Sequence, residues 1–343
     1  MLALRLLLVA ALVFAARCGG SPTTPTPPPP PPVQTLTIAC PANVAVEAEI
    51  TPVVVDYPAP VTGGGSAPVA TACTIASGSA FPAGASDVVC TATDAVQRRA
   101  QCTFSVAIEQ LFRLEGTKFL AFGDSITEGE VSQPQINVHD VDPMAAYPAV
   151  LRERLRERYS KQSAEIVVRN EGLRAEIVRA GEERLIEVVS EHRPDVVLLL
   201  EGANDVNQGS LTPGEIVQSL RSNVRRALDS GVRLVLVSTL LPEVPGRPRA
   251  FHPEGVEPVN DEIRFRIPQA GGVVVDAWAV FNPQKELLIG SDGLHPTAHG
   301  YEVLAETFFK AIIQHFEVAP AMAGAAKPAL ASEFGFLGPR RSR

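Results

Sequence analysis

The apolar positions of this chain follow two different rhythms. Between Thr35 and Ile108 they come as short β-branched runs: Leu36-Thr37-Ile38, Val44-Ala45-Val46, Val53-Val54-Val55, Val88-Val89-Cys90-Thr91 and Phe104-Ser105-Val106. Turn-forming residues separate the runs and no helical period links them, so the pattern predicts a small all-β sandwich. Beyond Leu111, compact apolar runs alternate with amphipathic stretches. Phe119 to Phe122, Ile166 to Arg169, Val196 to Leu200, Leu234 to Val237 and Val273 to Val275 have the near-continuous hydrophobicity of parallel strands buried on both faces. Tyr147 to Tyr159 sets Leu151 and Leu155 on one side among Arg and Glu, and Pro213 to Leu228 carries Ile216, Leu220, Val224 and Leu228 at four-residue steps. Both predict helices, and a last one is predicted from Thr297 to Phe316. Strands covered by helices on this plan make a three-layer α/β domain with a parallel five-stranded sheet.

The ends of the chain follow neither rhythm. Residues 1–18 carry one early cation, Arg5, and then an apolar stretch from Leu6 to Ala16, too short to span a bilayer and shaped like a secretory signal. Its end, Ala15-Ala16-Arg17-Cys18-Gly19-Gly20, resembles a bacterial lipoprotein processing site, which implies a lipid on Cys18 and a membrane anchor. Arg17 stands where that pattern has a small residue, which leaves ordinary cleavage and release as a secreted or periplasmic protein open. Residues 19–34 are half proline, with Pro27 to Pro32 unbroken and Gly, Ser and Thr before them, and read as an extended spacer of roughly 35 to 45 Å. Residues 318–343, rich in Ala, Pro and Gly, read as a disordered tail. Between these ends the sandwich is expected over 35–109 and the α/β domain over 110–317.

Composition narrows the function classes. In 343 residues, 45% are apolar and 20% charged, which is ordinary globular material, and a net charge of -8 gives no footprint for nucleic acid. Apart from Cys18, the cysteines Cys40, Cys73, Cys90 and Cys102 are confined to the β region of a chain that reads as exported, so two disulfides are expected, with all three pairings open. None of them has Cys-x-x-Cys spacing, and the α/β region has no cysteine, so no metal site is expected. Cys40-Pro41-Ala42-Asn43-Val44, Tyr57-Pro58-Ala59-Pro60, Cys90-Thr91-Ala92-Thr93-Asp94-Ala95 and Cys102-Thr103-Phe104 make the β region similar to the HYR (hyalin-repeat), Ig-like modules of surface proteins. That resemblance implies spacing or adhesion, through contact with a cell surface or a glycan.

Chemistry is concentrated in four short motifs at the ends of apolar runs: Gly123-Asp124-Ser125-Ile126-Thr127, Asn170-Glu171-Gly172, Gly202-Ala203-Asn204-Asp205 and Asp292-Gly293-Leu294-His295-Pro296. The carboxyl edge of a parallel sheet is where ligands bind. A serine hydroxyl needs a base to become a nucleophile, and His295, with Asp292 three residues earlier to fix its tautomer, is the best-placed imidazole for Ser125. Gly172 and Asn204 offer a backbone N–H and an amide for a developing oxyanion. His139 and His252 fall in loops, His192 and His315 near helix ends, and His299 on a helix surface.

Taken in order, the motifs resemble the GDSL or SGNH hydrolases, over roughly Gly116 to Phe316. The resemblance implies a flavodoxin-like α/β fold, Ser125 as nucleophile, Asp292 and His295 as its partners, and an oxyanion hole from the Ser125 and Gly172 N–H groups and the Asn204 side chain. It implies ester hydrolysis without a cofactor. One departure stands in the second motif, where Ala175 replaces a second familiar glycine beside the charged Arg174. The loop Ser132 to Pro143 and the stretch Pro242 to Val259 are expected to border the site, and neither has the long apolar run of a lipase lid. Behind a spacer and an adhesion-like module, a polysaccharide acetyl ester or another short-chain ester is the favoured substrate. The alternatives are a lysophospholipase or thioesterase acting on lipid, and a non-catalytic glycan-binding adhesin. A metal-dependent phosphoesterase is disfavoured, since the chain lacks an Asp-x-His after its first α/β strand and a late His-x-His.

Overall fold

A computed structural model describes residues 34–318 with the exception of 134 and 136–138. The leader, nearly all of the spacer and nearly all of the tail lie outside the described residues. Among those residues the chain divides into two compact units, one built from 34–42, 58–76 and 88–104 and the other from 43–57, 77–87 and 105–318.

The first unit is all β. Thr37–Ala39 pairs antiparallel with Val61–Gly63, and Ala70–Cys73 pairs antiparallel with the end of Gly84–Thr93. Both disulfides lie here, Cys40 to Cys102 and Cys73 to Cys90, which settles the pairing that the sequence left open. Asp94 ties its turn together, accepting from the N–H groups of Ser66 at 3.0 Å and Arg98 at 2.9 Å and from Arg98 Nε at 2.8 Å.

The second unit begins with two more strand pairs, Val44–Ala48 running parallel to the end of Arg99–Gln110 and Val53–Val55 antiparallel to Ser79–Phe81. Strands and disulfides together give an all-β region consistent with an Ig-like module. The strands Val61–Gly63, Ala70–Cys73 and Ser79–Phe81 were not expected from the apolar runs.

The rest of this unit is the three-layer α/β domain. Its sheet consists of β1 (Lys118–Gly123), β2 (Val167–Gly172), β3 (Val196–Leu200), β4 (Leu234–Ser238) and β5 (Val273–Val275), all parallel, in the order β2-β1-β3-β4-β5. Every residue of β3 is buried, as are all but the first of β1, which is why those strands read as unbroken hydrophobic runs. Helices cover both faces: α1 (Ser125–Glu128), α2 (Tyr147–Arg158), α3 (Val178–His192), α4 (Ala203–Gln208), α5 (Pro213–Asp229), α6 (Pro253–Arg266), α7 (Ala277–Phe281), α8 (Lys285–Leu288) and α9 (Ala298–Phe316). On one side α2 packs on α9, where the rings of Tyr147 and Phe308 stack at 5.2 Å; on the other α3 packs on α5 and α5 on α6. Helix α5 starts on a capping box, with Thr212 Oγ1 accepting from Glu215 N–H and Glu215 accepting from Thr212 N–H, and with Pro213 at the first position where no N–H is needed.

This strand order has one reversal that matters. The chain leaves β1 for β2 on one side and returns to β3 on the other, so the connections after β1 and β3 diverge and open a crevice at the carboxyl edge. Gly123, Gly172 and Leu200 stand in register there. The loops carrying the first three motifs therefore leave the sheet side by side.

Candidate active site

The turn after β1 is made by Asp124, whose side chain accepts from Ile126 N–H at 3.0 Å and caps α1. Ser125 is thereby the first residue of α1, and its own N–H has no place in the helical ladder. Burial pushes the Asp124 carboxyl up to about 7: one backbone N–H and the nearby His295 favour its charged form, while Asp205 and Glu176 oppose it.

The Ser125 hydroxyl donates to His295 Nε2 at 2.9 Å, and His295 Nδ1–H donates to Asp292 Oδ2 at 2.7 Å. All three side chains are buried. The other Asp292 oxygen accepts from the N–H groups of Leu294 at 2.9 Å and His295 at 3.0 Å, so the carboxylate is held by its own turn. Burial alone would raise the Asp292 carboxyl, but the His295 ring and those two backbone donors outweigh it and hold the group below its ordinary value. An ionised Asp292 fixes the proton on Nδ1 and leaves Nε2 to accept from serine.

Asn204 sits in the first turn of α4 and spends one Nδ2 hydrogen on Glu176 O at 2.9 Å. Its neighbour Asp205 accepts from Val178 N–H at 3.0 Å at the start of α3. The two residues lock the loop after β3 to the loop after β2, and Asn204 lines a cavity of about 430 Å³ together with Ser125, His295 and Ala175.

Gly172 is not where the sequence reading put it. Its N–H donates to Asn170 Oδ1 at 2.9 Å, and a Cβ at this position would lie 2.0 Å from Glu128 N, so the glycine exists to let β2 pass the backbone of α1. From this loop it is Arg174 and Ala175 that line the cavity, and Ala175 has a left-handed φ of 62°. The signal was in the sequence, since Ala175 occupies the place of a familiar glycine.

Sequence reasoning also passed over Glu130 and Arg249. Glu130, five residues after the serine, is buried, and its Oε1 accepts from Arg249 Nη1 at 2.5 Å and from His139 at 2.9 Å. His139 and Phe251 reach the cavity from the two stretches expected to border it, although the second turns helical at Pro253. His252 precedes α6, His192 and His315 lie in last helical turns, and His299 is exposed, away from the cavity lining. Among the described residues, no three His, Cys, Asp or Glu side chains are grouped to hold a metal ion.

The model of the GDSL-like Lipase/Acylhydrolase family matches residues 121–303, more than half of the chain and all four motifs. The chain belongs to this family. This acylhydrolase is an SGNH-type ester hydrolase, and its β region matches the HYR domain over residues 30–108. A search of curated proteins gives no match. Among solved structures, a lipase/acylhydrolase from Enterococcus faecalis is 22% identical, with 58% of this chain and 97% of that chain covered and a TM-score of 0.47. The aryl esterase of M. smegmatis is 23% identical, with 58% and 99% covered and a TM-score of 0.48. A carbohydrate acetylesterase from Sinorhizobium meliloti is 20% identical, with 58% and 99% covered and a TM-score of 0.48.

Proposed function

We propose that this acylhydrolase is an exported serine esterase that removes short acyl groups, acetyl first, from a carbohydrate. Ser125 Oγ attacks the ester carbonyl while its proton passes to His295 Nε2, and Asp292 stabilises the imidazolium. The negative oxygen of the tetrahedral intermediate is met by the N–H groups of Ser125 and Ala175 and by the Asn204 amide. His295 then returns the proton to the departing alcohol oxygen. Water attacks the acyl-enzyme by the same route, giving its proton to Nε2, and releases acid and Ser125. The observation that carries this reading is the unbroken chain of hydrogen bonds from Ser125 Oγ through His295 to Asp292 at the wall of an open cavity.

The lining supports this substrate class. Arg174, Asn207 and Gln208 line the cavity with donors and acceptors, while the exposed ring of Phe251 offers a flat apolar face on which a sugar could stack. A long acyl chain would need an apolar wall, and Leu294, Ala175 and Phe251 are too few to make one. The leader, the disulfides and the HYR region support a place outside the cytoplasm, with residues 35–109 as a surface module ahead of the hydrolase at 110–317.

The test is hydrolysis of p-nitrophenyl acetate, p-nitrophenyl octanoate and acetylated xylan by the full-length protein, with Ser125→Ala and His295→Ala beside it. The expected result is turnover lost in both variants, acetate preferred over octanoate, and acetate released from the polymer. Turnover that survives Ser125→Ala would refute the nucleophile, and a preference for octanoate with no release from xylan would move the substrate to lipids.

A further inference from the structure

The cavity wall next to His295 contains a carboxylate that the mechanism above does not use. Glu130 is 1% exposed, and its Oε2 lies 3.7 Å from His295 Nε2, the nitrogen that shuttles the proton. That oxygen is buried and accepts no hydrogen bond, a costly state for half of a carboxylate. The other oxygen is committed to Arg249 and His139, and the backbone carbonyl of Glu130 accepts from Tyr301 OH at 2.8 Å, so the side chain is braced on both sides. Arg249 is itself mostly buried, and its N–H donates to Asp292 O at 2.7 Å, which ties the cation to the turn that carries His295.

We infer that Glu130 is a positioning residue for His295, an anionic backstop whose free oxygen attracts the imidazolium at Nε2, with Arg249 set against it as a counterweight. The inference rests on the serine-esterase reading. In the resting state Nε2 accepts from Ser125 and has no proton to offer Glu130. Once the proton has moved, Nε2–H is shared between the oxygen of the intermediate and Glu130 Oε2, and the new positive charge lies between two carboxylates, Asp292 at Nδ1 and Glu130 at Nε2. No bond is made or broken at Glu130. The charged and titratable groups around the ring are Asp292, Glu130 and the more distant Asp124; those around Glu130 are Arg249, His139, Tyr301 and His295.

The two charges predict opposite displacements of one observable. In the pH profile of kcat/KM for p-nitrophenyl acetate, measured on the full-length protein, the acid limb reports protonation of the free enzyme's base. Glu130→Gln removes the anion at nearly constant shape and is expected to move that limb to lower pH by about one unit, with a reduced plateau. Arg249→Met removes the opposing cation and is expected to move the limb to higher pH. Urea unfolding of each variant checks that it is folded. A limb that stays in place in both variants, whatever happens to rate or stability, means that Glu130 only braces the wall and overturns the inference. If Glu130→Gln does not fold, Arg249→Met decides: a raised limb supports the inference and an unmoved one overturns it. Parent activity that survives Ser125→Ala removes the esterase reading instead, whereas Ser125-dependent activity with unmoved limbs removes only this inference.

Discussion

Asp124 makes a stability prediction whose size can be worked out. In the folded protein burial lifts its carboxyl from an ordinary 3.8 to about 7, a rise of about 3 units at 1.36 kcal/mol each. A carboxyl whose folded value is raised contributes fully below its unfolded value and loses that contribution as pH climbs through the folded one. Ionised Asp124 therefore costs the native state about 4 kcal/mol at pH 8, and roughly 3 kcal/mol of that is lost between pH 5 and pH 8. Asp124→Asn removes the titration and keeps the acceptor for Ile126 N–H, but brings an amide into the place of an oxygen that has no partner, at a cost of about 1 to 3 kcal/mol. That cost does not depend on pH. Relative to the parent, the variant should thus gain roughly 3 kcal/mol between pH 5 and pH 8, whatever its absolute stability. Urea unfolding followed by the fluorescence of the single tryptophan, Trp278 in α7, reads the α/β domain directly. A parent-to-variant gap that is the same at both pH values would refute the reasoning, because it would mean that Asp124 ionises as it does in the unfolded chain.

Two further predictions concern the loop after β2. Gly172→Ala drives a Cβ into the backbone of Glu128 and should lower stability by about 3 kcal/mol, seen as a reduced urea midpoint; a midpoint equal to the parent's would show that α1 can move aside. Ala175→Gly relieves a left-handed alanine and should raise stability by about 1 kcal/mol, while a fall would place the Ala175 methyl in a contact worth more than the strain.

The parts of the fold that could be read from the sequence were the strands with apolar runs and the helices with an unbroken apolar stripe. Four strands of the sheet coincide with apolar runs to within one residue, because a buried parallel strand has no polar side to break the pattern, whereas the run Ile166 to Arg169 stops three residues short of the end of β2, an edge strand in which only Val168 is buried. Helix α3 was less legible: its buried stripe is Val178, Gly181, Leu185 and Val189, and the glycine that makes room for Glu201 interrupts the apolar count. Helix α6 reads as loop because it holds Pro253 and Pro258. The first costs nothing at a helix start, and the second gives up one ladder bond inside a helix that packing on α5 retains. At the site, Ser125, Asn204, Asp292 and His295 stand out in the sequence because each follows an apolar run in a recognisable order, and the structure brings Ser125, His295 and Asp292 into one chain of hydrogen bonds. Glu130 and Arg249 were not, since their pairing joins residues 119 apart and neither belongs to a local pattern. The surroundings of Gly172 were hidden for the same reason: its neighbour is the backbone of α1, and proximity in space leaves no mark on adjacent residues.

The turn from Asp292 to His295 makes its own contacts, and this bears on when the protein becomes an enzyme. Two of the three groups in the proposed relay find each other within four consecutive residues, at almost no entropic cost, whereas Ser125 lies 170 residues away from His295. The serine emerges in synthesis ahead of its base, which lies just before the helix that completes one face of the sheet. On the proposed mechanism, an unfinished chain carries an inert Ser125 hydroxyl until the Asp292–His295 turn has followed it and packed beside it. Ester turnover, on that mechanism, would therefore report that two distant stretches of the α/β domain have come together.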